Sequence, residues 1–155
     1  MDGRLMKKKL DRLANSNISA RLGKSLPSKV DVKYAAEEAI ERLLDTLLID
    51  WRNDHNMEDT PKRVAKMLVE ETFAGRYMEP PKITTFPNVK GLDQIIAQGK
   101  IKVRSTCAHH MMPIKGMAWI GVMPKKNGRI VGLSKFNRVV DFYARRPQIQ
   151  EEMTM

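Results

Sequence analysis

Cysteine occurs once in the 155 residues, at Cys107, so an internal disulfide framework is excluded and a reducing compartment fits. Aromatic residues make up only 6%, few for the aromatic-interleaved basic surface of a nucleic-acid-binding module. No run of about 18 apolar residues is present, so no membrane-spanning helix is expected. The basic start, MDGRLMKKKLDRLANSN, lacks an apolar core and a small-residue cleavage site, which argues against a secretory signal. A cytoplasmic protein with no membrane partner is expected. At 42% hydrophobic and 30% charged, the chain can bury one modest core.

Carboxylates are scarce where cations abound. The chain carries 28 Lys and Arg against 18 Asp and Glu, a net of +10. Residues 1–33 hold nine basic groups and three Asp, whereas residues 34–99 hold eight basic groups and twelve acids. Residues 100–146 hold eleven basic groups and one acid, Asp141. Such a stretch is suited to an anion. Composition leaves two open: nucleic acid, or a phosphorylated small molecule held by a few converging cations. Residues 1–27 read as a basic, solvated arm.

Periodicity sets the expected elements. Ser28 and Asp31 offer cap residues ahead of a helix over Tyr34–Leu48, whose apolar positions recur at three-and-four spacing. Residues 51–58 read as a polar loop, with His55 a surface histidine. Thr60-Pro61 reads as a cap followed by proline at the first helical position, and Gly75 can end that helix. A short strand is expected over Ile83–Phe86. From Lys100 the period becomes two, predicting a half-buried strand to Cys107. Met117–Met123 is apolar on both sides and reads as an inner strand, with a tight hairpin at Asn127-Gly128 and a strand over Ile130–Leu133. Ser134 can cap a helix stopped by Pro147, where a new helical turn opens. The divisions expected are 1–27, 28–99 and 100–155.

Three segments bear chemistry. Ser105-Thr-Cys-Ala-His-His110 gathers the one Cys and two of the three His, soft donors suited to zinc; alone it also fits a buried Cys beside chance histidines. Cys–His nucleophilic catalysis stays open as well. Lys135 and Arg138 share one face at a helix start, where cations and free N–H groups make a phosphate cradle, or two surface cations flank a core-facing Phe136. Gln150 and Glu151 could offer an amide and a carboxylate to a donor-rich ring, or simply open a helix.

Together with Glu58-Asp-Thr-Pro-Lys-Arg-Val-Ala-Lys-Met67, these segments occur in order within residues 34–155 and resemble GTP cyclohydrolase I. The remaining matched text is Ile130-Val-Gly-Leu-Ser-Lys-Phe-Asn-Arg-Val-Val140 and Ala144-Arg-Arg-Pro-Gln-Ile-Gln-Glu151. The resemblance implies an α+β tunnelling fold: an antiparallel sheet with helices on one face, preceded by a helical region, here without the family's C-terminal strands. It implies zinc-dependent opening of the GTP imidazole ring to give formate and dihydroneopterin triphosphate. Cys107 and His110 would be zinc ligands, and His109 a catalytic histidine. Gln150 and Glu151 would hold guanine. Ser134, Lys135, Arg138 and Arg63 would hold ribose and triphosphate.

The partners implied are GTP and further copies of the chain, usually ten, with sites shared between subunits and no nucleic acid. Two departures stand out. Ala108 replaces a usual glutamate, and the sequence stops at Met155, before the positions expected to supply a third ligand (a cysteine), a histidine and an arginine. A fragment or a non-catalytic remnant that binds GTP without turnover is the main alternative. A basic nucleic-acid-binding protein and a sibling tunnelling-fold nitrile reductase are the others. Folate and 7-deazaguanine synthesis both remain open as the pathway served.

Overall fold

The structure, a computed structural model, describes residues 27–154, so the N-terminal arm lies almost wholly outside the described residues. The chain divides into two compact units that meet in sequence at Tyr77 and Met78.

The first unit is helical. Helix α1 spans Lys29–Thr46, five residues earlier than its apolar stripe begins. The Ser28–Asp31 capping box supplies the extra turn: Asp31 N–H donates to Ser28 Oγ at 3.2 Å and Ser28 N–H donates to Asp31 Oδ2 at 2.8 Å. The helix ends before Leu48, which adopts φ 57° in a position where glycine is the usual occupant. Within the loop read as polar, Trp51 is buried. Its indole donates to Asp45 at 3.0 Å, and Arg52 lies 4.3 Å over its ring while gripping the same carboxylate with two nitrogens. His55 is exposed, as expected.

Helix α2 spans Thr60–Lys66, with Asp59 rather than Thr60 at the cap position and Pro61 second. Arg63 N–H bonds to the Asp59 carbonyl at 3.0 Å, so the helical ladder begins one residue earlier than expected. The backbone then widens into a π-helical turn over Met67–Thr72, and Gly75 sits inside a short 3-10 turn at Ala74–Arg76. Pro61, Ala65, Val69 and Ala74 are buried in this stretch, and Lys33 bonds to Glu70 at 3.1 Å across to α1.

The second unit holds two small sheets. Strand β1 (Thr85–Pro87) pairs antiparallel with β4 (Arg129–Val131). Strand β2 (Ile96–Cys107) pairs antiparallel with β3 (Pro113–Val122) and parallel with the two-residue β5 (Pro147–Gln148), giving the order β3-β2-β5. Helix α3 (Ser134–Ala144) packs on β2, burying Phe136, Phe142 and Ala144 near Ile101 and Val103. A short helix, α4, follows at Gln150–Thr154. The expected α+β class holds, although one strand pairing is parallel.

Four local expectations change. The segment read as an inner strand is an edge among the described residues: β3 has one neighbour, and Met117, Trp119 and Met123 are exposed. Its second apolar side comes from Met and Trp facing outward. The Asn127-Gly128 turn forms, with Gly128 N–H donating to the Lys125 carbonyl, yet it joins strands of different sheets rather than a hairpin. Asn88 dictates this, its amide donating to the Lys125 and Leu92 carbonyls. Ser134 is the first residue of α3 and makes no cap bond. Pro147 opens β5 rather than a helix, because its neighbour Gln148 pairs with β2.

Candidate functional site

Strand β2 alternates between the α3 face and the outside from Ile101 to Ser105, then buries Thr106 as well, where β5 pairs with it, and ends at half-buried Cys107. The chain reverses there in a tight turn. Cys107 N–H donates to the Met112 carbonyl at 2.8 Å and Met111 N–H to the Cys107 carbonyl at 2.9 Å. Met111 takes φ 56° to close it. This turn presents Ala108, His109 and His110 to solvent. The two imidazoles stand edge-on, with centroids 6.3 Å apart at 70°. A thiol and an imidazole thus occupy one turn, but no group of three or more His, Cys, Asp or Glu that could hold a metal occurs among the described residues. Cys107 and His110 give two donors where a catalytic zinc takes three.

Strand β5 adds the next piece. Its register sets Gln148 beside Cys107, and Ala108 N–H donates to the Gln148 carbonyl at 3.1 Å. The chain that leaves β5 therefore carries exposed Gln150 and Glu151 away from the Cys107 end of the sheet, at the start of α4. The Gln148 side chain locks this arrangement, donating to Tyr143 O at 2.7 Å and Ser105 Oγ at 3.2 Å. Neighbouring Arg146 is buried, its guanidinium 4.4 Å over the Phe142 ring. Both positioning residues were in the quoted segment, but a two-residue parallel pairing leaves no periodic signal by which to find them.

The cations lie elsewhere. Half-buried Lys135 and exposed Ser134 and Arg138 occupy the first turns of α3. Asn137 in that turn accepts from Gln98 Nε2 at 3.2 Å, nine residues upstream of Cys107. Helix α3 rises about 1.5 Å per residue from Ser134 to Ala144, and its far end is tied to Gln148 beside Cys107, so its first turn stands on the order of 15–20 Å from the Cys107 turn. Within the second unit, then, β5 ties the segment that leads to the guanine candidates to the turn of the metal candidates, while Ser134, Lys135 and Arg138 stand at the opposite end of α3. Arg63 belongs to the other unit, where it pairs with Asp59 at 3.0 Å.

Comparisons with known proteins give the family. The family description "GTP cyclohydrolase I" matches residues 36–155. The chain is 43% identical over 123 residues to GTP cyclohydrolase 1 of Shewanella loihica, covering 79% of this chain and 56% of that protein. With GTP cyclohydrolase 1 of Aliivibrio fischeri it shares 39% identity over 145 residues, 93% of this chain and 65% of that protein. The corresponding Shewanella baltica protein is 41% identical over 131 residues, covering 84% and 59%. A mixed α and β chain whose Cys-His turn and basic helix start occur in this order is of the GTP cyclohydrolase type. The chain belongs to the GTP cyclohydrolase I family. It spans between about half and two thirds of the length of these relatives.

Proposed function

We propose that this chain supplies half-sites of a zinc-dependent GTP cyclohydrolase I, which opens the imidazole ring of GTP, releases C8 as formate and yields dihydroneopterin triphosphate. The observation that carries the reading is the parallel β2–β5 register, which joins the Cys107 turn to the segment leading to Glu151. In this reading the Glu151 carboxylate accepts from the N–H edge of guanine, and the Gln150 amide completes the contact. His109 moves a proton at the purine ring. Cys107 and His110 hold zinc, with a further donor from outside the described residues. When bound, zinc supplies a water of lowered pKa at neutral pH.

The triphosphate is held by Lys135 and Arg138, with Ser134 toward the ribose, each charge-assisted hydrogen bond contributing roughly 1.5–3 kcal/mol. Because the α3 start stands far from the Cys107 turn of its own chain, a second copy brings its cations to the first copy's turn. That is the arrangement of a tunnelling-fold oligomer, a decamer in its complete form, and a cytoplasmic enzyme is the setting. Two observations favour a second reading, GTP binding without turnover: only two metal donors among the described residues, and Ala108 in place of a carboxylate.

The test is to incubate the full chain with GTP and zinc, measuring formate and, after oxidation, pterin fluorescence. Product that vanishes in Cys107→Ser supports the enzyme. Bound GTP with no formate supports the binding-only reading, and neither binding nor product overturns both.

A further inference from the structure

One side-chain amide ties three elements of the second unit together. Gln148 lies on β5, three residues before Glu151, and its half-buried side chain reaches back to the end of α3. Gln148 Nε2 donates to the Tyr143 carbonyl at 2.7 Å and to the Ala144 carbonyl at 3.4 Å, which belong to the last two residues of that helix. A helix end leaves such carbonyls without an intrahelical donor, and the amide supplies one. The same nitrogen donates to Ser105 Oγ on β2 at 3.2 Å. Ser105 is buried, at 7% exposure, and its hydroxyl donates in turn to the Arg146 carbonyl at 3.3 Å.

The rest of the link is slight. Strand β5 has two residues, short against the usual strand of about 3–10, and it pairs with β2 only at Thr106 and Cys107. Ile149 follows at once, and its carbonyl accepts from Met153 N–H at 3.2 Å. Gln150 and Glu151 therefore open α4 with only Ile149 between them and Gln148. Where the Gln148 amide is held, the two guanine candidates are held with it. The Cys107 turn has its own support, since Cys107 N–H donates to the Met112 carbonyl and Met111 N–H to the Cys107 carbonyl.

We propose, resting on the GTP reading above, that Gln148 is the positioning residue of base selection: it sets where Gln150 and Glu151 stand and so gives guanine its preference over adenine. A site built to bond a donor edge rejects an analogue that lacks the donors. Guanine offers N–H groups to the Glu151 carboxylate, whereas the ring nitrogen of adenine at the same edge carries no proton. Loosening the segment costs GTP a contact that ATP never had. The cations of α3 hold either triphosphate alike.

The test is calorimetric titration of the full chain with GTP and with ATP, read as the ratio of the two dissociation constants. Gln148→Met keeps the length of the side chain and removes its donor. It should cut the preference for GTP about tenfold, the loss of one hydrogen bond to a charged group, and leave ATP affinity unchanged. Ser105→Ala removes one of the three acceptors and should cut the preference about threefold. Glu151→Ala should abolish it, and adding Gln148→Met to that variant should change the ratio no further, because a positioning residue acts through the group it places. A Gln148→Met chain that keeps the preference, loses GTP and ATP affinity equally, or adds its loss to that of Glu151→Ala overturns the proposal. If circular dichroism shows that Gln148→Met does not fold, an unchanged ratio in Ser105→Ala overturns it instead. A parent chain with no preference for GTP overturns the GTP reading and this proposal with it.

Discussion

Phe136 fixes helix α3 to both sheets of the second unit, and its removal has a calculable cost. The ring is 7% exposed and shares an apolar cleft with Ile96, Val122, Pro124, Ile130 and Val131. Those residues come from β2, β3, β4 and the turn between the last two. Truncating a buried Phe to Ala costs about 3–5 kcal/mol, transfer and cavity together. At roughly 0.05–0.15 kcal/mol per residue, the 78-residue unit has about 4–12 kcal/mol in total. Phe136→Ala therefore removes at least a quarter of that stability and at the low end all of it. Phe136→Leu, closer in volume, costs about 1–1.5 kcal/mol and lowers Tm by about 4–12 °C. Thermal melts by circular dichroism read both. A Phe136→Ala protein melting within about 2 °C of the parent would refute the anchoring role.

Acid weakens the helical unit in a defined window. Arg52, then Trp51, hold the Asp45 carboxyl below its ordinary value; Lys33 does so for Glu70 and the Ser28 hydroxyl for Asp31. Depressed carboxyls add stability above the ordinary range near pH 4, and it is lost as pH falls through the folded values. Asp45→Asn should lower the urea midpoint at pH 6, and the loss should shrink as pH falls below the ordinary carboxylate range; an equal loss at every pH would contradict the charge argument. Leu48→Gly should stabilise the same unit. Leu48 is 92% exposed at φ 57°, so relief of about 1–2 kcal/mol of left-handed strain outweighs the added unfolded-state entropy of about 0.5–1 kcal/mol. A lowered melting temperature would show that Leu48 makes a contact that matters.

Legibility followed periodicity. The α1 stripe, the alternation from Ile101 to Ser105 and the Phe136 face of α3 were readable because repeating burial leaves a repeating pattern, whereas Thr106, expected on the polar side, is buried. The capping box extended α1 through residues with no apolar signal, and the outward Met117 and Trp119 made an edge strand look like an inner one. Strand β5 was invisible because two residues carry no period; it depends on the pairing of Gln148 with Cys107, forty-one positions away in sequence. Of the site, the Cys107 turn and the basic start of α3 were legible as motifs, while their separation along β2 emerged only in three dimensions.

That separation is the centre of the functional reading, and mixing two defective chains tests it most directly. Cys107→Ser removes the metal half-site, and Lys135→Ala/Arg138→Ala removes the phosphate half-site. Each variant alone should release no formate from GTP beyond the zinc-only background. Co-assembled in equal amounts, they should recover about one quarter of the parent rate, since random pairing leaves that share of sites with both halves intact. A parent chain that turns over GTP while the mixture stays as inactive as either variant would contradict a site built from two copies.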